Sequence, residues 1–497
     1  MRNTTVVDAI HAWSVRLPDA PAVQDPARSL DRRALAAAQD RAARRLVDAG
    51  VRPGDRVGVL GPLSVDWAVA ALGVLRAGAV VCPLNERLGP IELHEVVDRL
   101  KPAVLITSDA RPGTLALEDL DAPGATSPLP DLSRDASLPL AIIPTSGSTG
   151  QPKGVVYTHE SVLSALFEWT LQAPELLRGR ALNVSAMSFA AGLLNGFLAP
   201  LVLGGSVVML PRWDPQTALD LIRDERITTF AATTIFYEQM AALPAFDGTD
   251  LSSLTVAFTG GNPVTTELIR AWSAKGVGLR QAYGLTESLS NVTFPTVELA
   301  LRSPESVGQG GILTRVEVVD ETGALCPPGT PGEIRIAGPG LAVGYWDDPE
   351  QTEEVFAGGW LRTGDVGVVD DDTSLRIVGR TKDMIITGGM NVYAAEIERA
   401  ALTLPGVLEV AAIGVPDDEF GETPALLLRT SSPTTEDDVI EHLRLRLGSY
   451  KLPRYVVFAL EPLPRTPSLK VDKAAIRATY GDLPTRFERR GRFTQPA

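Results

Sequence analysis

Hydroxyl, glycine and lysine side chains are concentrated in one short stretch between two apolar runs. The stretch contains Thr145, Ser146, Gly147, Ser148, Thr149, Gly150 and Lys153. Glycines let successive backbone N–H groups turn toward one point, hydroxyls add neutral donors, and the lysine adds a compact positive charge. These properties together predict a binding site for a polyphosphate, most simply ATP.

The spacing of this stretch differs from that of a Walker A loop, in which the lysine opens a helix. Here Pro152 and Gly154 flank Lys153, so we expect no helix to begin there. The alternative is an ordinary Ser/Gly-rich surface turn, since such clusters are common in loops. We favour the phosphate site because the apolar runs 141–143 and 155–157 predict buried strands on both sides.

A second stretch carries side chains suited to a nucleotide. Tyr283, Thr286 and Glu287 bring an aromatic ring, a hydroxyl and a carboxylate around Gly284. An aromatic face can cover adenine, a hydroxyl can bond a phosphate, and a carboxylate is a ligand for Mg²⁺. The alternative is an ordinary turn after a strand.

Two more stretches lie further along the chain. Asp365 is suited to accept hydrogen bonds from ribose hydroxyls, unless it is simply a turn aspartate. A charged turn with Arg380 and Lys382 is followed by a strand and by the pair Gly388 and Gly389. The alternative for this last stretch is a linker between domains.

These four motifs, together with a lysine near the end of the chain, resemble the adenylate-forming superfamily of acyl-CoA synthetases, adenylation domains and luciferases. The resemblance covers essentially the whole chain and is complete over 145–154. It implies a large N-terminal domain that binds the nucleotide and the acid. It also implies a small C-terminal domain that swings on a hinge.

The resemblance further implies a role for each motif residue. Residues 145–153 would wrap the β- and γ-phosphates, Gly260, Gly261, Asn262 and Tyr283 would line adenine, Thr286 would touch the α-phosphate, Glu287 would hold Mg²⁺, Asp365 and Arg380 would bind ribose, Lys382 would be the hinge residue, Gly388 and Gly389 would border the pantetheine tunnel, and Lys470 would be the adenylation lysine.

The reaction implied by the resemblance has two steps. A carboxylate oxygen attacks the α-phosphorus of ATP and expels pyrophosphate, and a thiol then attacks the acyl-adenylate. Because the first step brings two anions together, it requires positive charge, and Lys470 suits that role as a point charge on a long stem. A hinged domain would present Lys470 first and the glycine pair 388–389 second.

The sequence departs from the family pattern at several positions. Leu469 stands where glycine is common, which would reduce the flexibility of the loop before Lys470. Phe189 stands where many members have histidine, Thr233 where proline is usual, and Ala394 where proline is common. The last three bear on substrate or packing rather than on adenylate formation.

Residues 189–197 bear on the identity of the acid substrate, because they match a helix that borders the acyl pocket in the family. The expected substrate-binding residues are Phe189, Gly192, Asn195 and, beyond this stretch, Gly284. Neither 189–197 nor 233–236 contains a charged side chain, so a second carboxylate or an ammonium would lack an ion partner. We therefore expect a monocarboxylic acid with an apolar aliphatic or aryl body. The alternative is that the helix faces the core and says nothing about the substrate.

These motifs depend on the elements that position them. Helical periodicity alternates with short apolar strands over 36–106 and again over 199–259, which predicts a mostly parallel sheet with flanking helices. Residues 107–138 are expected to form a surface connection, and 315–380 a small antiparallel, β-barrel-like part. The predicted α/β fold has an N-terminal domain over 1–379, a hinge at 380–383 and a small, mobile α+β C-terminal domain over 384–497.

Composition restricts partners and location. The 497 residues carry a net charge of -15, from 46 basic and 61 acidic residues, which argues against binding nucleic acid or an anionic membrane. Two cysteines and four histidines show no disulfide or metal-ligand spacing. No apolar run reaches membrane-spanning length and the first residues lack a signal-peptide core, so we expect a cytoplasmic protein.

Three functional classes follow from these observations. The first is an acyl-CoA ligase that uses ATP, Mg²⁺ and coenzyme A. The second is a stand-alone adenylation enzyme that loads an acyl carrier protein, since both classes use a pantetheine thiol. The third is a non-catalytic nucleotide-binding regulator, which Lys153, Glu287, Asp365 and Lys470 together disfavour. The sequence leaves open the length and ring content of the acid, and the choice between a monomer and a homodimer.

Overall fold

The computed structural model describes residues 4–109, 112–130, 135–146, 152–261, 264–466 and 470–486. The chain divides into two compact units, one formed by 1–316 with 335–362 and the other by 317–334 with 363–497. It therefore passes from one unit to the other at 316, 334 and 362. The domain limits predicted from the sequence, with a hinge at 380–383, stay a prediction.

The helices begin where side chains can cap them. The hydroxyl or carboxylate of Asp31, Ser64 and Thr158 accepts a backbone N–H in the first turn of the helix that follows. The α-helices are α1 Val6–Arg16, α2 Arg32–Asp48, α3 Val65–Arg76, α4 Pro90–Leu100, α5 His159–Gln172, α6 Ala199–Val202, α7 Pro215–Asp224, α8 Thr234–Ala241, α9 Thr266–Ala274, α10 Val297–Arg302, α11 Pro349–Val355, α12 Ala394–Leu402, α13 Glu436–Arg444, α14 Lys473–Tyr480 and α15 Leu483–Arg486.

Most strands are short and apolar, as expected for buried sheets. They are β1 Pro21–Gln24, β2 Ser29–Asp31, β3 Arg56–Leu60, β4 Val80–Leu84, β5 Val104–Thr107, β6 Leu115–Ala116, β7 Pro139–Ser146, β8 Pro152–Thr158, β9 Arg180–Asn183, β10 Ser206–Met209, β11 Thr229–Thr233, β12 Val256–Gly260, β13 Leu279–Gln281, β14 Ser306–Gly308, β15 Arg315–Val319, β16 Gly332–Ala337, β17 Gly344–Tyr345, β18 Leu361–Val369, β19 Leu375–Arg380, β20 Met384–Thr387, β21 Met390–Tyr393, β22 Val407–Asp417, β23 Gly421–Thr430 and β24 Tyr455–Phe458.

Two seven-stranded sheets form the first unit. One has the order β13-β12-β11-β9-β10-β1-β2 and is parallel except for the edge pair β1–β2. The other has the order β17-β8-β7-β4-β3-β5-β6, with its parallel part from β7 to β6 and antiparallel pairs at β8. The predicted α/β fold with mostly parallel sheets is confirmed.

The core of the first unit includes part of a region expected to be surface. Leu117 and Leu120 are buried, and the short strand β6 pairs with β5. The expectation that 107–138 is only surface connection is therefore wrong in part. Its Asp, Pro and Gly content hid the few apolar side chains that dock this segment on the sheet.

The second unit is built on antiparallel pairing. β18 and β19 pair antiparallel, as the sequence predicted for this region. The sheet of 384–458 has the order β21-β20-β23-β22, with β24 parallel to β23. Apolar side chains of α12 and α13, among them Ile397, Ile440 and Leu443, form a core with this sheet. The separate α+β unit after the parallel sheets agrees with the predicted fold class.

Among the described residues, no helix combines the length and the apolar character that a membrane crossing requires.

Candidate active site

The predicted phosphate loop is carried by a β-hairpin. β7 and β8 place Thr145 opposite Lys153, and the Thr145 hydroxyl donates to the Lys153 carbonyl at 3.5 Å. Lys153 therefore lies on a strand, and no helix begins there, as Pro152 and Gly154 predicted. The loop residues Gly147, Ser148, Thr149 and Gly150, and the side chain of Ser146, lie outside the described part of the chain.

The ammonium group of Lys153 is held by neutral partners. Its Nζ donates to Oε1 of Gln351 at 2.6 Å and lies 5.3 Å from the centre of the Tyr345 ring. Gln351 is on α11, whose first turn is capped by Asp348. Within the described ranges Lys153 forms no ion pair, so its charge is available to an anion.

Glu287 is fixed by the same tyrosine. The hydroxyl of Tyr345 donates to Oε1 of Glu287 at 2.8 Å, and burial, together with the Glu287 charge, raises the pKa of Tyr345. The Glu287 carbonyl accepts the Ala342 N–H at 2.9 Å, and the hydroxyl of Tyr157 donates to the Thr286 carbonyl at 2.8 Å. Tyr345 thus links the lysine and the carboxylate that the sequence assigned to one nucleotide.

The chemistry around Glu287 fits a cation that arrives with a nucleotide. No group of three or more His, Cys, Asp or Glu side chains suited to a metal occurs in the described part of the chain. In nucleotide sites Mg²⁺ takes one or two carboxylates and completes its shell with phosphates and water. A single carboxylate with one oxygen engaged by Tyr345 fits that pattern, whereas a resident metal would need more protein ligands.

The residues expected near adenine lie at the carboxyl ends of neighbouring parallel strands. Gly260 ends β12, and Tyr283 follows β13 by two residues. A Cβ on Gly260 would lie 2.9 Å from the Ala282 carbonyl oxygen, so the two segments are in close contact. Open α/β sheets bind ligands at this edge. Gly261 is described, with φ of 84°, whereas Asn262 lies outside the described residues.

A strained turn follows Glu287. Leu289 and Ser290 both have positive φ, 54° and 80°, which non-glycine residues rarely adopt. A Cβ on Gly284 would lie 1.4 Å from the Ser290 carbonyl oxygen, so only glycine fits there. The Ser290 hydroxyl accepts the Asn195 Nδ2 at 3.0 Å, which joins this turn to the stretch expected to border the acyl pocket.

That stretch is a π-helix, Ala191–Leu198, a conformation that is rare and frequent at functional sites. Phe189 precedes it and is half-buried. A Cβ on Gly192 would lie 2.1 Å from the Ala186 carbonyl oxygen, and one on Gly196 would lie 2.3 Å from the Asn183 side chain. Close packing therefore explains both glycines. The substrate roles of Phe189, Gly192, Asn195 and Gly284 stay predictions.

In the second unit, the two residues expected to bind ribose form an ion pair. Asp365 and Arg380 are opposite each other on β18 and β19, and Nε of Arg380 lies 2.9 Å from Oδ1 of Asp365. The carboxylate is 7% exposed and the guanidinium 48% exposed. Arg380, which reaches solvent, therefore orients the buried carboxylate of Asp365.

Lys470 belongs to the same electrostatic neighbourhood. The Lys470 residue as a whole is exposed to solvent. The protein around its ammonium group nevertheless reduces the hydration of that group. This desolvation and the charge of Arg380 lower the pKa of Lys470, whereas the charge of Asp365 opposes the shift. Asp365, Arg380 and Lys470, which the resemblance assigns to one adenylate, therefore lie near one another in the second unit.

The loop before Lys470 is held by Glu409, a residue that lies outside the lysine motif 464–470. The Thr466 N–H donates to the Lys470 carbonyl at 2.8 Å, and Arg465 lies 2.5 Å from Oε1 of Glu409. Glu409 is buried and also pairs with Arg429 at 2.8 Å. Sequence reasoning missed Glu409, because it lies 56 residues before Arg465 in the chain. Residues 467–469, which include Leu469, lie outside the described residues.

The glycine pair has a local explanation. Gly388 and Gly389 form the two-residue turn between β20 and β21, with φ of 57° and 78°. Positive φ at both positions is the requirement of the tight hairpin turn that matches strand twist. Lys382 is exposed in the 3₁₀ turn Thr381–Asp383. The roles of the pair in the pantetheine tunnel and of Lys382 as a hinge stay predictions.

Similarity to known proteins agrees with this geometry. Residues 10–346 match the family described as AMP-binding enzyme, and 396–470 match the AMP-binding enzyme C-terminal domain. A feruloyl-CoA synthase of Amycolatopsis is 35% identical over 502 residues, which cover 97% of this chain and 100% of that protein.

Two further similarities extend this result. The long-chain-fatty-acid–CoA ligase FadD13 of Mycobacterium tuberculosis is 36% identical over 463 residues, with coverage of 89% and 91%. The structure of ATP-bound MatB from Rhodopseudomonas palustris has a TM-score of 0.86 at 29% identity, with coverage of 96% and 99%. The superfamily identified from the motifs is confirmed, and a non-catalytic regulator is disfavoured. The chain belongs to the AMP-binding enzyme family and is an acyl-CoA ligase of the adenylate-forming superfamily, which uses ATP and coenzyme A to activate a small carboxylic acid.

Proposed function

We propose that this ligase activates a monocarboxylic acid with an apolar body. The observation that carries the proposal is the lack of ionisable side chains in 189–197 and 233–236, together with the packing of β11 against the π-helix. A second carboxylate or an ammonium between these elements would be desolvated without a partner, at roughly several kcal/mol. An apolar body would instead gain about 25 cal/mol per Å² buried.

Two buried oxygens favour a ring that bears a neutral oxygen substituent. Asn195 Oδ1 and Thr233 Oγ1 are buried and have no hydrogen-bond partner among the described residues. Leaving a buried polar atom unpaired costs about 1–3 kcal/mol, and a phenol hydroxyl would offset that cost. The identity to a feruloyl-CoA synthase supports this choice within the apolar class.

In the first step, the substrate carboxylate attacks the α-phosphorus of ATP and the bond to pyrophosphate breaks. Lys153 would balance the charge of the leaving phosphates, and Lys470 would balance the charge that develops at the α-phosphate. Glu287 would hold the Mg²⁺ that neutralises the phosphates. The Asp365–Arg380 pair would orient the ribose.

In the second step, the thiolate of coenzyme A attacks the acyl carbon and AMP leaves. Coenzyme A is favoured over a carrier protein because the relatives are named as CoA ligases. Transfer at equal rates to a pantetheinylated carrier would reverse that preference.

The test is pyrophosphate release with and without coenzyme A across hexanoate, octanoate, benzoate, ferulate, malonate and glycine. We expect the apolar acids to be used, with an aryl acid that carries a hydroxyl the best. The Asn195→Leu variant should reduce kcat/KM for ferulate about 10-fold relative to hexanoate, because only ferulate loses a hydrogen bond to Oδ1. Hexanoate is the internal control, since loss of the Asn195–Ser290 bond affects both substrates. Faster release with malonate or glycine than with every apolar acid would overturn the proposal.

A further inference from the structure

Lys470 lies on a short antiparallel pairing of two segments, 463–466 and 470–472, which we call the Lys470 hairpin. Arg465 and Val471 form an antiparallel bridge between the two segments. The Lys470 carbonyl accepts a backbone N–H of the facing segment at 2.8 Å. The position of the Lys470 backbone therefore depends on what holds the facing segment in place.

Glu409 on β22 holds that facing segment through two hydrogen bonds. The Glu409 residue is 8% exposed, its Oε1 accepts from Nη2 of Arg465 at 2.5 Å, and its Oε2 accepts the Leu463 N–H at 3.1 Å. Hydrogen bonds to an ionised carboxylate are stronger than those between neutral groups. One buried carboxylate thus fixes the facing segment at a side chain and at its backbone.

The same carboxylate has a second arginine partner outside the hairpin. Arg429 lies opposite Glu409 on β23, and its Nε is 2.8 Å from Oε2. Burial raises the pKa of Glu409, but the hydrogen bonds from Arg465 and Arg429 outweigh burial and lower it. The side chains of Arg465 and Arg429 are 32% and 30% exposed. The two ion pairs are therefore alike in acceptor and exposure, and only one of them reaches the hairpin.

The ammonium group of Lys470 has no fixed partner of its own. Within the described ranges, Nζ of Lys470 forms no hydrogen bond and no ion pair. Its place is then set by where the hairpin backbone starts the long, flexible side chain. Position matters for a catalytic charge, because a displacement of about 1 Å can slow a reaction about 10²-fold.

We propose that the Glu409–Arg465 ion pair positions Lys470 for adenylate formation. The inference rests on the role proposed for Lys470 at the α-phosphate. Glu409 and Arg465 act through the hairpin, so they are positioning residues rather than catalytic residues. Breaking the pair frees the facing segment from β22 and lets the ammonium group of Lys470 leave the point where charge develops.

The test compares Arg465→Gln with Arg429→Gln in the full chain, using the best acid of the substrate panel. Adenylate formation, followed by pyrophosphate release, should slow about 10-fold in Arg465→Gln. The matched control Arg429→Gln loses an ion pair to the same carboxylate and should slow by less than about twofold. Thioester formation from preformed acyl-adenylate should change little in either variant, which also shows that both are folded. Arg465→Lys keeps a cation beside Glu409 and should recover part of the lost rate.

A double variant separates positioning from a general loss of structure. In a Lys470→Ala background, Arg465→Gln should slow adenylate formation further by less than about twofold, because the group that it positions is gone. A second loss as large as the one in the wild-type background would overturn the proposal, and so would equal rates for Arg465→Gln and Arg429→Gln.

Lys470→Ala alone distinguishes failure of this inference from failure of the proposed function. If Lys470→Ala leaves adenylate formation unchanged, the role proposed for Lys470 is wrong and the positioning role is wrong with it. If Lys470→Ala slows adenylate formation but Arg465→Gln does not, only the positioning role is overturned.

Discussion

Acid should destabilise the first unit through His159. This residue opens α5, and its Nδ1 accepts the N–H of Val6, the first residue of α1, at 3.2 Å. Only a neutral ring can accept that hydrogen bond. Burial lowers the pKa of His159 to about 4 from 6.5, although the charge of Asp8 opposes the shift. His159→Asn keeps an acceptor for Val6 but cannot titrate.

The direction of this pH dependence follows from which state of the protein binds the extra proton. Because the pKa of the folded state lies below that of the unfolded state, the unfolded chain binds the extra proton between pH 6.5 and pH 4. The stabilisation by His159 is therefore complete above pH 6.5 and is lost as the pH falls. From pH 7 to pH 4.5 this single group should remove about 2.5 kcal/mol from the free energy of unfolding.

The assay is urea unfolding followed by tryptophan fluorescence at pH 7 and pH 4.5. All seven tryptophans lie in the first unit, so the signal reports the unit that contains His159. The wild-type protein should lose about 2.5 kcal/mol more than His159→Asn over this range. His94→Asn, at an exposed histidine on α4, should behave as the wild type does. Equal losses in the wild type and in His159→Asn would show that His159 does not cause the loss of stability.

Two further predictions concern the reaction. Tyr345→Phe removes the hydroxyl that fixes Glu287 but keeps the ring beside Lys153. The KM for Mg-ATP in pyrophosphate release should therefore rise about 10-fold. An unchanged KM would mean that Glu287 does not need this hydrogen bond. Lys382→Pro should spare adenylate formation and slow thioester formation, since a fixed φ restricts a swing about this turn; normal overall turnover would show that the hinge is elsewhere.

Local patterns predicted much of the fold and several members of the site. The apolar runs around Lys153 are the strands β7 and β8, because strand preference and turn residues act over a few positions. Asp365 and Arg380, which the resemblance assigns to ribose, lie opposite each other on β18 and β19. Their partnership follows from a hairpin between nearby segments.

Contacts between distant segments could not be predicted in this way. Gln351 lies 198 residues from Lys153, Tyr345 lies 58 residues from Glu287, and Glu409 lies 56 residues from Arg465. No periodicity or spacing reports such pairs, because they depend on how whole elements pack. The π-helical geometry of Ala191–Leu198 was hidden for a related reason, since an apolar run does not reveal the width of its turns.

We propose that Lys470 stabilises charge at the α-phosphate during adenylate formation. The most direct measurement compares both half-reactions in the wild type and in Lys470→Ala. Adenylate formation, followed by pyrophosphate release, should slow by roughly 10²–10³, as for loss of a well-placed electrostatic group. Thioester formation from preformed acyl-adenylate should change much less. Equal losses in the two half-reactions would contradict this role of Lys470.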